Sequence, residues 1–395
     1  MSIRQALHAI ASGMRDCSFT LRYWDGSETH YGNPPYEFSV EFRDKVTAAA
    51  LLSNLPLRFG EAYMSGAIEI HGDMNRLLQL VTSGATDRVR MGLASRLGVA
   101  VARWQTRNVR GQARENVSRH YDLGNDFYGL WLDEAMVYSC AYFKAPTDSL
   151  AVAQQQKLAH LCSKLRLSPD QRVLDIGCGW GAFAIHAAQR HAVQVFGVTL
   201  SHNQHKLAAE RIREKHLDNK VSVQLLDYRD ISVEQPFDRI ASIGMFEHVG
   251  KRQYIEYFTH NARLLANGGI GVLQTIGRMS AAPPDPWIEK YIFPGIYFPA
   301  LSEVTSAMER CGLVIVDVEV LRLHYAQTLD KWAEAFEATV DQVQNAYDER
   351  FVRMWRLYLR SSAAAFRHGN LTLWQIQFTK GRCNSLELTR DYLYK

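Results

Sequence analysis

Residues 173–181, VLDIGCGWG, constrain the fold more than any other stretch of the chain. Apolar positions run into a glycine-rich turn and AFAIHAAQR follows with helix-forming residues, so the order is strand, tight turn, helix. Gly177, Gly179 and Gly181 carry no Cβ where the chain must bend sharply, which lets backbone N–H groups and a helix N-terminus approach a small molecule. The stretch GCGWGA also satisfies the dinucleotide form G-x-G-x-x-A, so the turn alone leaves hydride transfer, methyl transfer and a purely structural role open. Asp175, two residues before the first glycine, brings a carboxylate to a ligand's polar end. A second strand, VQVFGVTL, follows at βαβ spacing. A nicotinamide dinucleotide calls for an acidic residue at the tip of that strand, to bind the ribose hydroxyls, and here the tip is Thr199. This counts against NAD and favours S-adenosylmethionine.

A length of 395 residues exceeds what one core usually holds, so two domains, or one with a large extension, are expected. No apolar run approaches ~20 residues, and the N-terminus lacks the apolar core of a secretory signal, which predicts a cytoplasmic protein whose membrane contact is peripheral. Six cysteines without a C-x-x-C pair fit neither a zinc site nor a disulfide framework and are expected as thiols. A net charge of +4 does not point to nucleic acid.

Residues 1–85 predict a small α+β module, with a hairpin at Asp25-Gly26 and no catalytic constellation; lipid handling and dimerisation are the roles open to it. Residues 86–117 form a basic linker in which Arg88, Arg90, Arg96, Arg103, Arg107, Arg110 and Arg114 are opposed by Asp87, with Leu93, Leu97 and Trp104 interleaved. Such a segment suits an anionic membrane surface or a solvated interdomain helix. The rest, 118–395, reads as the catalytic domain. It opens with SRHYDLGNDFYGLWLDEAMVYSCAYF, whose rings beside Asp122, Asn125 and Asp126 suggest a lid or wall. Strands and helices then alternate, and Gly177, Thr199, Asp227, Glu247 and Gln274 are all predicted at or just beyond strand ends, where ligands bind in such sheets. The aromatic, Pro-rich loop 278–300 reads as a hydrophobic cover, a helical region is expected from 328 to about 366, and TLWQIQFTKG supplies a last strand.

Taken in order, HYDLGNDFY, YSCAYF, VLDIGCGWG, VTLSHNQ, DYRD, SIGMFEHVG, KYIFPG, HYAQTL and FVRMWRLYL resemble the cyclopropane-fatty-acyl-phospholipid synthase family and the related mycolic acid cyclopropane synthases and methyltransferases. The resemblance covers roughly residues 59–380. It implies a Rossmann-like class I S-adenosylmethionine-dependent methyltransferase domain behind the α+β module. The activity implied is methyl transfer to the cis double bond of an unsaturated acyl chain in a membrane phospholipid, with closure to a cyclopropane, at the inner face of the membrane. A homodimer is admitted. For the methyl donor the correspondence gives Tyr138, Ser139, Gly177, Gly179, Thr199, Gln204, Asp227 and Tyr228, beside the Asp175 read above. For a bound bicarbonate base it gives Cys140, Glu247, Ile276 and Tyr325, with backbone groups contributing at Cys140 and Ile276. The family's histidine in the stretch HTIG is replaced here by Gln274. A carboxamide donates a hydrogen bond but relays no proton, so a methyl- or methylene-branched product stays open beside the cyclopropane, as does a catalytically silent lipid-binding relative.

Overall fold

The structure, a computed structural model, describes residues 2–14, 17–83, 123–232 and 234–394. The basic linker expected at 86–117 lies outside them. The chain divides into two compact units, Met1–Gln105 with Pro283–Pro294 and Leu329–Leu371, and Thr106–Ala282 with Gly295–Thr328 and Thr372–Lys395. Both units are discontinuous in sequence, and residues 283–294 and 329–371 fall in the first of them.

The first unit holds a four-stranded sheet of β1 (Phe19–Arg22), β2 (Glu28–Tyr31), β3 (Phe38–Phe42) and β4 (Ile68–Gly72), in the order β2-β1-β3-β4. Gly26 at φ +80° makes the predicted turn between β1 and β2. Phe38, Val40 and Phe42 alternate inward from β3 and meet Phe19, Leu21 and Ile68 in the core. The returning helix Glu349–His368 explains why late residues belong to this unit. It buries Val352, Trp355, Leu359 and Phe366, and its Arg353 donates to the carbonyls of Tyr63 and Ile68 and pairs with Glu69 at 3.0 Å. Trp287 lies over Gly60, where a Cβ would stand 2.2 Å from the indole, and Phe293 packs edge-on against Tyr358. The Pro-rich stretch is therefore not one continuous cover. Its first half packs within this unit, whereas Tyr297 and Phe298 belong to the second.

The second unit is built on a seven-stranded sheet of β5 (Arg172–Ile176), β6 (Gln194–Thr199), β7 (Val221–Leu225), β8 (Phe237–Ile243), β9 (Leu265–Arg278), β10 (Leu313–Val320) and β11 (Leu371–Lys380), in the order β10-β11-β9-β8-β5-β6-β7. The strands β5 to β9 run parallel, and β10 pairs antiparallel with β11. Leu174 and Ile176 pack with Ile240 and Phe258 on one face, while Val173 packs with Leu161 and Ala184 on the other, so both faces carry helices as a buried parallel sheet requires. This is the expected α/β architecture. From β5 the chain winds outward through β6 and β7, then returns to place β8 on the other side of β5. The crevice at the carboxyl ends of β5 and β8 is thus the switch point at which such sheets bind ligands. One placement differs from expectation: Gln274 lies within β9 rather than at its tip. Tyr325 stands in the first turn of the helix Arg322–Ala338. All six cysteines are free thiols. No helix among the described residues is long and apolar enough to cross a membrane.

Candidate active site

After Ile176 the chain turns through Gly177 at φ +82° and Gly179 at φ +55°, into Gly181 at φ +81° before the helix Ala182–His191. L-residues rarely adopt these angles. The amides of Gly177 and Cys178 both donate to the Val198 carbonyl at 2.9 and 3.0 Å, and Gly181 N donates to Cys178 O. These amides brace the turn against β6 instead of facing a ligand. At Gly177 a Cβ would lie 2.7 Å from that of Met245, whereas at Gly179 the space is open.

That space belongs to a cavity at the switch point, and all nine residues assigned to the methyl donor line it: Tyr138, Ser139, Asp175, Gly177, Gly179, Thr199, Gln204, Asp227 and Tyr228. Thr199 Oγ1 donates to Gln204 Oε1 at 2.8 Å, which fixes two polar side chains past the end of β6. Asp227, expected to accept from an adenine amine, accepts from Arg229 Nε and Nη2 at 2.9 and 2.6 Å, so its carboxylate is already oriented and charge-compensated. Asp175 is the opposite case. It is buried, neither carboxylate oxygen has a hydrogen-bond partner among the described residues, and burial raises its pKa to about 7 against the opposing pull of Lys157.

Lys157, which the sequence reading missed, is fully buried on the cavity wall and donates to Ser139 Oγ at 3.1 Å. Burial pulls its pKa down to about 8, while Asp133, Cys140 and Asp175 act to raise it. From the same helix, Leu150–Leu165, Gln154 Nε2 holds the Ser139 carbonyl at 2.9 Å. A signal was there: Gln154, Lys157 and Lys164 share the buried stripe of Leu158, Leu161 and Leu165, where an ordinary amphipathic helix carries no charge.

The expected aromatic wall is present over the described part of its segment; His120, Tyr121 and Asp122 lie outside it. Tyr128 stands 5.6 Å from Trp131 and 5.2 Å from both Tyr138 and Trp180, ring centre to ring centre. Trp180 Nε1 donates to Asn125 Oδ1 at 2.8 Å, and Arg211 Nη1 bridges the carbonyls of Ala135 and Trp180. The wall is thereby pinned to the glycine turn.

None of the five residues assigned to the bicarbonate site lines this cavity, but Cys140, Glu247 and Gln274 each neighbour or pair with a residue that does. Cys140 follows Ser139, and Glu247 sits between the lining residues Met245 and His248. The last register pair of β8 and β9 is Ile243 with Gln274, after which β8 turns away at Gly244 and leaves the next donor on β9, Ile276 N, without a strand partner. Glu247 Oε1 takes that donor at 2.6 Å. Of the Ile276 backbone groups, the N–H is therefore already engaged. Glu247 Oε2 and Gln274 Nε2, both buried, have no hydrogen-bond partner among the described residues. Burial lifts the Glu247 carboxyl to about 7, opposed by the Ile276 amide. Cys140 and Tyr325 converge on one carbonyl, that of Leu321, through Sγ at 3.9 Å and the backbone amide at 3.1 Å. Burial pushes the Cys140 thiol well above its ordinary range, which disfavours the thiolate.

With this geometry in place, the likenesses to known proteins are specific. The mycolic acid cyclopropane synthetase family matches residues 108–376, and a domain of unknown function (DUF7884) matches residues 6–90. The chain is 40% identical to the cyclopropane-fatty-acyl-phospholipid synthase of Escherichia coli over 91% of this chain and 92% of that one. It is 36% identical to the tuberculostearic acid methyltransferase UfaA1 of Mycobacterium tuberculosis over 90% and 86%. Among solved structures, the mycolic acid cyclopropane synthase CmaA1 complexed with SAH and CTAB superposes with a TM-score of 0.64 at 33% identity, covering 68% of this chain and 98% of that one. The chain belongs to the mycolic acid cyclopropane synthetase family, S-adenosylmethionine-dependent enzymes that modify lipids as cyclopropane synthases or methyltransferases.

Proposed function

We propose that this protein transfers a methyl group from S-adenosylmethionine to the cis double bond of an unsaturated phospholipid acyl chain and closes it to a cyclopropane, acting peripherally at the inner face of the cytoplasmic membrane. The observation that carries the reading is the donor cavity together with the buried residues next to its lining, where Glu247 Oε2, a carboxyl oxygen, and Gln274 Nε2, an amide donor, are among the unpartnered polar atoms. S-adenosylmethionine supplies the electrophilic methyl. An alkene is a weak nucleophile, so the protein's share is alignment and exclusion of water, and the faces of Tyr138 and Trp180, backed by Tyr128 and Trp131, suit the carbocation that attack leaves on the acyl chain.

The residues present fit bicarbonate. Gln274 Nε2 offers a hydrogen bond to one of its oxygens, and Glu247 Oε2 accepts its hydroxyl proton or, when protonated, donates. When bound, the ion supplies a small base for the proton lost on ring closure. Glu247 and Gln274 hold it, and Cys140 and Tyr325 shape the adjoining wall. The identity of Gln274, which relays no proton, and the likeness to a tuberculostearic acid methyltransferase favour a second reading, a methyl- or methylene-branched chain. Lipid extracts from cells with and without the gene test both. A product that survives ozonolysis intact and has the mass of the substrate plus one CH2 supports the cyclopropane; cleavage marks a retained double bond, an intact product two hydrogens heavier marks a reduced methyl branch, and either rejects it.

A further inference from the structure

Strands β9 and β11 are neighbours, and between them two buried amides meet: Gln375 Nε2 donates to Gln274 Oε1 at 2.9 Å. Both side chains are essentially inaccessible to solvent. The oxygen and nitrogen of a carboxamide diverge from one carbon within a single plane, so engaging Oε1 also aims Nε2. Gln274 Nε2 is left without a protein partner among the described residues, as are Gln375 Oε1 and Glu247 Oε2, whose other oxygen is held on Ile276 two residues along the same strand. With the amide turned over, Gln274 would present a carbonyl oxygen where its NH2 group now stands, and the donor to an oxyanion would be lost. An imidazole protonated on the ring nitrogen facing the site has no such ambiguity.

We propose that Gln375 is a positioning residue: it holds Gln274 in the orientation that presents its NH2 group, making the pocket beside Glu247 selective for a small oxyanion. The proposal rests on the bicarbonate reading above and deepens it. Gln375 touches no reacting atom and acts through Gln274 alone.

The test compares wild type with Gln375→Met, which keeps the volume and removes the donor, and with Gln375→Glu, which replaces the donor with an acceptor and draws the Gln274 NH2 towards itself. Binding of 13C-labelled bicarbonate to the SAH-loaded protein is followed by NMR, with SAH affinity and melting temperature as checks on the fold. The bicarbonate Kd is expected to rise about tenfold in Gln375→Met and further in Gln375→Glu, the scale of one mis-satisfied buried hydrogen bond. In turnover, the KM for bicarbonate should follow while kcat at saturating bicarbonate stays within about twofold, whereas damaged packing would lower kcat and melting temperature together. Unchanged bicarbonate affinity in whichever variant folds overturns the positioning role and leaves the bicarbonate reading standing. A wild-type protein that binds no bicarbonate overturns both.

Discussion

Glu247→Gln is expected to abolish turnover and, above neutral pH, to stabilise the protein. Burial raises the Glu247 carboxyl from 4.5 to about 7, so between those values the folded state binds a proton that the unfolded state has lost. Stability therefore falls as pH rises through that window, and the ionised side chain destabilises the fold from about pH 7 upward. At about 1.36 kcal/mol per unit the full effect is about 3 kcal/mol. Glutamine is uncharged at every pH and still offers an oxygen to Ile276 N, now held at 2.6 Å by Glu247 Oε1. The variant and wild type should thus have nearly equal urea unfolding free energies at pH 5, and the variant should gain the ~3 kcal/mol progressively by pH 8. Asp175 is displaced in the same direction but is common to both proteins and cancels in the difference. SAH affinity should be unchanged, because Glu247 does not line the donor cavity. A stability difference that is flat from pH 5 to pH 8, or turnover within a few-fold of wild type, would refute the reasoning.

Three further outcomes follow from the cavity. SAH affinity, measured by titration calorimetry, should weaken as pH falls from 8 to 6, because the unpartnered Asp175 carboxylate takes up a proton near 7 and stops accepting from ligand donors; in Asp175→Asn the dependence should be lost. Lys157→Met removes the cation that opposes the upward shift of Asp175, so the midpoint of that dependence should move to higher pH, and an unmoved midpoint would count against the coupling. Gly177→Ala forces a Cβ to 2.7 Å from Met245 at φ +82° and should destabilise the fold by on the order of 2 kcal/mol in chemical denaturation, with SAH binding weakened.

Much of the donor site was legible because a parallel sheet delivers successive strand tips to one edge. Gly177, Thr199 and Asp227 lie just past β5, at the end of β6 and just past β7, and a sequence shows each tip as the point where apolar alternation stops. Lys157 escaped because a lysine within a helix ordinarily marks the solvated side, and only the burial of its whole stripe reveals otherwise. Gln375 escaped for a different reason. Its partner is 101 residues away on a neighbouring strand, and local periodicity carries no register between distant segments. The same limit hid the return of the helix Glu349–His368 to the first unit, since its apolar stripe predicts burial without saying against what. Glu247 was found as a residue past the fourth strand, but its role as the cap on Ile276 N becomes visible only once β8 is seen to leave the sheet at Gly244.

The central claim is that a donor cavity and a dry anion-holding cluster act together on an olefin. It is tested most directly by incubating the purified protein with methyl-labelled S-adenosylmethionine and phospholipid vesicles of matched headgroup, either cis-unsaturated or fully saturated. Label is expected in the acyl chains of the unsaturated vesicles alone, with one equivalent of SAH released per labelled chain. Label on the headgroup or on a soluble amine, or equal labelling of saturated lipid, would contradict it.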